Sequence, residues 1–315
     1  MNNVKVTILM PAYNASAYIA EAIRSVLTQT FTDFELLIVN NGSTDDTVQV
    51  VRQFNDPRIR LTEEPQTGIG YALNKGLQEA TGEYIARFDA DDICMPFRLA
   101  EQLNFLQNNP DHVLCGSDAE YIAESGEHLF YFRCTGHTHE EIRQQLYVYC
   151  PFIHSSVMYR KEAVLKAGGY SPDAHNFEDY LLWVQLAKYG KYHNLSERLL
   201  KVRFNSASVT IDEKWRGQRF RQLKKKIIHQ GFVTPEEGKE LLSIIREQDN
   251  KRVKEGAYYA LCGKKFLVNN HQPSKARNHL AKAIRIYPMR LDNYALFMLS
   301  YFPKPFINWL HGKTS

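Results

Sequence analysis

Strand-like and helix-like segments alternate through the first hundred residues, and this order leaves few folds open. The β-branched, apolar runs are typical of strands, and they are VKVTILM (4–10), FELLIV (34–39), RIRL (58–61) and GEYIARF (82–88). Helical patterns separate them, as in ASAYIAEAIRSVLTQ (15–29), where apolar residues recur three and four positions apart. The alternation predicts an α/β fold with a largely parallel central sheet flanked by helices.

Three of these strands run directly into polar clusters: PAYN (11–14), NNGS (40–43) and DADD (89–92). Because ligands of open parallel sheets bind at the carboxyl ends of the strands, we expect the clusters to share one edge. Carboxylates this close together resist ionising unless a positive charge lies among them. Their oxygens are the ligands that Mg²⁺ and Mn²⁺ prefer. The pattern therefore predicts a divalent-cation site, with a solvated acidic turn as the alternative.

Charge is divided unevenly along the chain. Residues 1–210 carry a net charge of −8, whereas residues 211–315 carry +12. The basic segment 213–230 interleaves Lys and Arg with apolar residues, and two interpretations stay open. It is either a helix lying on an anionic membrane surface or a helix packed on the acidic part of the chain. Base-reading modules are absent from the sequence, which disfavours nucleic acid as a partner.

The five cysteines are scattered without C-x-x-C spacing, so neither a zinc ribbon nor a dithiol redox site is indicated. The sequence shows no secretory signal. Its longest candidate membrane segment, ALFMLSYF (295–302), has 8 residues, whereas a spanning helix needs about 20. We therefore expect a cytoplasmic protein, peripheral on the inner face of the cell membrane if the basic segment binds lipid.

Five segments between residues 6 and 190 together resemble the family-2 glycosyltransferases. They are VTILMPAYN (6–14), FELLIVNNGSTDDT (34–47), GYALNKGLQEATGEYIARFDADDICMPFRL (70–99), HSSVMYRKEAVLKAGGY (154–170) and EDYLLWVQLAKYG (178–190). The run ARFDADD is particularly similar to the branch that builds O-antigens and capsules. The resemblance implies a GT-A catalytic domain over 1–210, with a nucleotide-sugar half (1–100) and an acceptor half (101–210). A basic, helical C-terminal region would follow over 211–315.

The resemblance also implies a metal-dependent, inverting transfer of a hexose or N-acetylhexosamine from a nucleoside-diphosphate sugar, with UDP favoured. The acceptor would be a hydroxyl of a glycan or lipid-linked oligosaccharide in surface-polysaccharide biosynthesis. Asp89 and Asp91 would form the Asp-x-Asp pair, with Asp91 the direct ligand of Mn²⁺ or Mg²⁺. Asp179 would be the general base beside Glu178. Without the resemblance, two acids there are typical of a helix N-terminus.

Further site residues implied by the resemblance lie on the donor and acceptor sides. His154 would face the acceptor, and the donor would be bound by Pro11, Ala12, Tyr13, Asn14, Asn41, Ala90 and Arg203. Two positions depart from the family pattern. Asn40 and Asn41 stand where many relatives carry aspartates, which leaves the nucleotide base open. Asn205 stands where many carry histidine, so Arg203 would contact the pyrophosphate instead, or serve as a structural residue.

Two other functions compete. GIGYAL (68–73) imitates a dinucleotide-binding fingerprint, with Asp89 about 20 residues further on, but no strand leads directly into it. An NAD-dependent oxidoreductase is therefore disfavoured. An inactive, transferase-like protein that only binds nucleotide sugars is the second alternative, and the retained DADD and ED sequences argue against it. Whether the tail forms a homodimer interface is open.

Overall fold

The computed structural model describes residues 4–205 and 216–311, which form two compact units. The described residues of unit 1 are 4–119, 132–202 and 219–243. Those of unit 2 are 120–131, 203–205, 216–218 and 244–311. The division differs from a single boundary at residue 210, because residues 120–131 group with the C-terminal helices and residues 219–243 group with the sheet.

Among the described residues, nine strands form one sheet in the order β3-β2-β1-β4-β8-β6-β9-β5, with β7 paired to β6. The strands are β1 (Val6–Ala12), β2 (Phe34–Asn40), β3 (Ile59–Glu63), β4 (Tyr84–Arg87), β5 (Ile93–Cys94), β6 (His112–Ile122), β7 (His128–Phe132), β8 (Met158–Arg160) and β9 (Lys191–Arg203). Strands β1 to β4 pair in parallel, whereas β8 is antiparallel to both β4 and β6. The predicted α/β fold with a mostly parallel sheet is confirmed.

The helices pack on the sheet through their apolar faces, and this packing buries the strands. The helices before residue 190 are α1 (Ile19–Leu27), α2 (Thr47–Arg52), α3 (Ile69–Glu79), α4 (Arg98–Asn108), α5 (His139–Gln145), α6 (Lys161–Lys166) and α7 (Glu178–Leu186). All seven residues of β1 and of β2 are buried. Helix α3 approaches β1 closely at Gly76, where a Cβ would lie 2.0 Å from a methyl carbon of Leu9.

The C-terminal region is helical throughout its described residues, as predicted. Its helices are α8 (Gln218–Gln230), α9 (Pro235–Glu247), α10 (Lys251–Val268), α11 (Pro273–Ile286), α12 (Leu291–Leu299) and α13 (Lys304–His311). Helices α10 and α11 form the core of unit 2 around Cys262, Phe266 and Leu280. In the part of the chain that the structure describes, none of the helices is both long and apolar enough to cross a bilayer.

Helix α8 carries most of the basic segment 213–230, of which residues 213–215 lie outside the described residues. Its apolar residues Phe220, Ile227 and Ile228 are buried. A helix on a membrane surface must offer its apolar side to lipid. The burial of that side in α8 therefore favours the interpretation in which this helix packs on the acidic part of the chain.

Candidate active site

The polar clusters that follow β1, β2 and β4 lie at one edge of the sheet. Strand β1 pairs in parallel with β2 and with β4, which places Ala12 opposite Asn40 and Leu9 opposite Arg87. The amide of Asn41 donates to the carbonyl of Ala12 at 2.9 Å. The predicted common edge is confirmed, since the three clusters leave neighbouring strands in the same direction.

The loop after β1 presents one aromatic side chain to solvent. Tyr13 is 60% exposed, and Asn14 beside it adopts a left-handed backbone with φ of 48°. The side-chain oxygen of Asn14 accepts from the amide of Thr44 at 2.8 Å, so it joins this loop to the one after β2. Pro11, Ala12 and Ala90 are buried. These three residues therefore offer little surface to a nucleotide-sugar donor.

The asparagines at 40 and 41 hold the loops at this edge together. Asn40 donates to the carboxylate of Glu63 at 2.6 Å, a contact in which an aspartate would bring two negative charges together. Asn41 donates to the carbonyls of Glu64 and Gln66, and its oxygen accepts from the amide of Gly68 at 2.9 Å. An amide oxygen has two lone pairs. A hydrogen bond from a nucleotide base to Asn41 would therefore use the lone pair that Gly68 does not occupy.

The carboxylates after β4 lie beside a buried cation. The guanidinium of Arg87 is 2% exposed and pairs with the carboxylate of Asp89, which is 35% exposed. Burial alone would lower the pKa of Arg87, but the neighbouring Asp89 raises it overall, so the cation is firmly charged. Asp91 is half-buried and Asp92 is buried. Part of the positive charge that these acids require thus comes from the chain itself.

A second pair of carboxylates opens α7. Glu178 is buried, and its Oε2 has no hydrogen-bond partner among the described residues. The side chain of Asp179 is 19% exposed, and its Oδ1 accepts from the amide of Tyr180 at 2.7 Å. Burial raises the pKa of both carboxyl groups, and in Glu178 the charge of Asp179 raises it further. These acids are held where protonation is easier than in water.

His154 lies against the second pair. Its Nδ1 is 3.9 Å from Oδ2 of Asp179, and its Nε2 is 3.3 Å from the hydroxyl of Tyr170. Burial and the charge of Arg87 hold its pKa well below the usual value, so the imidazole is neutral. Ligand atoms of His154, Glu178 and Asp179 lie within 4.8 Å of one another. The structure therefore brings the predicted acceptor-side histidine to the predicted base.

Arg203 requires a correction. Its side chain is buried in unit 2, where Nη1 donates to the carbonyls of Ala123 and Glu124 at 3.3 and 2.9 Å. These carbonyls belong to the turn between β6 and β7, in which the amide of Gly126 donates to the carbonyl of Ala123. The guanidinium secures this turn, which supports the structural alternative and not the expected pyrophosphate contact.

Two residues at this site were not anticipated from the sequence. Arg87 pairs with Asp89, and the charge of Lys224 on α8 lowers the pKa of Asp179 against the effect of burial. The pairing of Arg87 with Asp89 could have been predicted from their spacing. Residues two positions apart in an extended chain point to the same face, so these two side chains are neighbours. Lys224 had no such signal, since it stands in a run of three lysines.

Comparison with known proteins agrees with this geometry. Residues 7–168 match the model of glycosyl transferase family 2. Similar proteins include an uncharacterized glycosyltransferase of Haemophilus influenzae, 32% identical over 66% of this chain and 79% of that protein. The O-antigen biosynthesis glycosyltransferase WbnJ of Escherichia coli is 30% identical over 65% of this chain and 81% of its own. The amylovoran biosynthesis glycosyltransferase AmsE of Erwinia amylovora is 30% identical over 66% and 80%, respectively.

The chain is a transferase enzyme and belongs to glycosyl transferase family 2. Solved structures share its GT-A fold. Staphylococcus aureus TarS 1–349 in complex with UDP aligns with a TM-score of 0.56 at 16% identity, covering 99% of this chain and 92% of that one. The mannosyltransferase PcManGT of Pyrobaculum calidifontis, in complex with GDP-Man and Mn²⁺, aligns with a TM-score of 0.52 at 19% identity over 99% and 85%. Family membership overturns the oxidoreductase alternative.

Proposed function

We propose that this protein transfers a hexose or N-acetylhexosamine from a nucleoside-diphosphate sugar to an acceptor hydroxyl, with inversion at the anomeric carbon. One observation carries the proposal. Unit 1 holds two groups of acids: Asp89, which pairs with the buried Arg87, and Glu178 and Asp179, whose ligand atoms cluster with those of His154 within 4.8 Å. Burial is the main cause of the raised pKa of Glu178 and of Asp179, and Arg87 opposes that rise in both, so this arginine links the two groups. Such a transfer needs the diphosphate site and the base near the same carbon atom.

We assign the divalent cation, Mn²⁺ or Mg²⁺, to Asp91 and Asp89. Half-buried carboxylates supply the hard oxygen donors that suit these ions. The family resemblance favours Asp91 as the direct ligand, and Asp89 pairs with Arg87. When bound, the ion stabilises the negative charge that develops on the departing diphosphate. PcManGT, whose structure contains Mn²⁺, supports this assignment by analogy.

Asp179 is the proposed general base. The acceptor oxygen attacks the anomeric carbon as its proton passes to the carboxylate of Asp179. The new carbon–oxygen bond forms while the bond to the phosphate oxygen breaks, and the nucleoside diphosphate leaves with the electron pair. A carboxyl whose pKa is raised by burial accepts a proton more readily near neutral pH. The hydrogen bond from the amide of Tyr180 orients this group.

The donor's nucleotide meets the loops after β1 and β2 in this proposal. Tyr13, which is largely exposed, offers a face on which the base can stack. Asn14 and Asn41 shape the loops around it. Uridine sugars are the first donors to test, because TarS is seen with UDP and with UDP-GlcNAc. GDP sugars are the second, since PcManGT is seen with GDP-Man.

The acceptor is proposed to be a growing glycan or a lipid-linked oligosaccharide of a surface polysaccharide. The support is similarity to WbnJ and AmsE, whose names refer to O-antigen and amylovoran biosynthesis. His154 lies beside Asp179, and burial together with the charge of Arg87 keeps its pKa low. It can therefore hydrogen-bond an incoming hydroxyl while remaining a poor acceptor of that hydroxyl's proton. In this proposal the acceptor hydroxyl approaches both His154 and Asp179.

A donor panel tests the proposal directly. The full chain is mixed with UDP-, GDP- and dTDP-sugars, each with Mn²⁺ or with EDTA, and its melting temperature and slow sugar hydrolysis are measured. We expect one nucleotide class to stabilise the protein only with the metal and to be hydrolysed. Stabilisation without hydrolysis or transfer would favour the inactive binding protein. No response to any nucleoside diphosphate would refute the proposal.

A further inference from the structure

Helices α7 and α8 both follow the residues 7–168 that match the family model. Helix α8 packs on α7, which carries the proposed base. The rings of Phe220 on α8 and Phe177 before α7 meet edge to face, with centroids 6.2 Å apart. At the other end of α8, the side-chain amide of Gln185 donates to the carbonyl of Gly231 at 3.0 Å. Both contacts lie within unit 1. Helix α8 is thus held against α7 at two places.

Lys224 extends from α8 to the start of α7. Its ammonium nitrogen is 5.5 Å from the ring centroid of Phe177 and 5.3 Å from that of Tyr180. Those two residues flank Glu178 and Asp179 in the chain, and both rings are buried. An ammonium loses hydration when it enters such a site, and ring faces and nearby carboxylates offset that loss. The half-buried cation therefore has a specific position beside the carboxylates.

The neighbouring lysines behave differently, although their chemistry is the same. Lys225 is exposed. Lys226 is exposed as well, and it pairs with Glu237 at 2.8 Å. Successive residues of a helix point about 100° apart, so only one of three consecutive lysines can face a given neighbour. Of these three, Lys224 is the one that faces α7.

We propose that Lys224 is a positioning residue of the transferase, whose ammonium balances the charge of the half-buried Asp179 and holds that carboxylate ready for the acceptor's proton. This inference rests on the proposed function, in which Asp179 is the base. It also extends the proposed site from α7 to a helix of the C-terminal region.

The surroundings of Asp179 explain why a cation from α8 matters. The charged and titratable groups that act on or contact it are Glu178, Arg87, Lys224, Cys150, His154 and Tyr170. Two of these are cations, and Arg87 is already paired with Asp89. Burial raises the pKa of Asp179, while Lys224 and Arg87 oppose that rise. Loss of Lys224 should therefore raise the pKa further and leave less of the base ionised at neutral pH.

The test compares Lys224→Met, Lys224→Arg and the matched control Lys225→Met in the full chain. The carboxyl pKa of Asp179 is measured by ¹³C NMR titration, with the signal assigned by its loss in Asp179→Asn. Transfer rates are followed against pH with the donor that the panel identifies. We expect Lys224→Met to shift both the titration and the acid limb of the rate upward by about one pH unit, so that turnover at a given pH on that limb falls about tenfold. Lys224→Arg should keep the titration and the rate profile close to those of the unaltered protein. Lys225→Met should leave both unchanged.

The outcomes separate this proposal from the one on which it depends. An unchanged Asp179 titration in Lys224→Met, or a slower enzyme whose acid limb has not moved, would overturn the role of Lys224. If Lys224→Met does not fold, Lys224→Gln replaces it and the same criteria apply. Normal transfer by Asp179→Asn would instead refute the base assignment, whatever Lys224 does to the titration.

Discussion

The two carboxylate pairs of unit 1 differ in how each is surrounded. Asp89 and Asp91 follow a strand and are half-buried, and a buried arginine pairs with the first of them. Glu178 is buried and Asp179 is 19% exposed at the start of a helix, and burial raises the pKa of both. Open, charged carboxylates suit a cation and a diphosphate, whereas buried carboxyl groups suit proton transfer. Identical chemical groups thus acquire different tasks from their environments.

Replacing the base should have the largest effect. We expect Asp179→Asn to lower the transfer rate by about 10²–10⁴-fold, because an amide cannot accept the hydroxyl proton. Donor affinity should be unchanged, since the diphosphate site lies at the other carboxylate pair. Initial rates and donor titrations check this. Asp33→Asn, at an exposed aspartate, is the control, and a similar loss of donor binding in Asp179→Asn would erase the distinction between the pairs.

Replacing a member of the Asp89–Asp91 pair should weaken the binding of the metal and of the nucleotide-sugar donor. For Asp91→Asn we expect about a 10–100-fold loss of Mn²⁺-dependent donor affinity, because a charged oxygen ligand is removed. Melting temperatures measured with UDP, with and without Mn²⁺, report the effect. The raised pKa of Glu178 and Asp179 should persist in this variant. Metal-dependent stabilisation equal to that of the unaltered protein would remove Asp91 from the cation site.

Arg203 tests whether the turn between β6 and β7 depends on its guanidinium. Arg203→Met leaves two carbonyl groups without this donor, so unit 2 should be destabilised by about 1–3 kcal/mol. Donor affinity should stay the same. Denaturant unfolding and donor titration measure the two effects, with Arg221→Met at an exposed arginine as the control. Weaker donor binding with unchanged stability would restore the pyrophosphate role expected from the sequence.

A smaller effect should come from the pH dependence of stability at Glu178. Its pKa in the folded protein is raised, so the folded state binds more protons than the unfolded state between the ordinary and the raised value. Stability from this group is therefore lost as pH rises through that window. Glu178→Gln cannot ionise, so this variant should not lose stability as pH rises. We expect its melting temperature to exceed that of the unaltered protein by about 2–4 °C at pH 8 but not at pH 4. Equal differences at both pH values would contradict the burial of a titrating carboxyl.

Much of the fold could be predicted because its signals are local. Runs of β-branched residues located the parallel strands, and the polar residues after them located the common edge. The pairing of Asn40 with Glu63 could not be predicted, since it joins residues 23 positions apart through a loop whose path depends on packing. The contacts of Arg203 could not be predicted for the same reason, because its partners lie about 80 residues earlier in the chain.

The packing of α8 on α7 limits where this chain can be truncated. A truncation after residue 205 would keep every segment that resembles the family, together with both carboxylate pairs. It would also uncover the apolar rings at the beginning of α7, since Phe220 and the stem of Lys224 would be gone. The shortened chain would keep every family motif, but its proposed base, Asp179, would lack the neighbouring ammonium of Lys224. Sequence similarity alone would therefore overestimate the transferase activity of such a fragment.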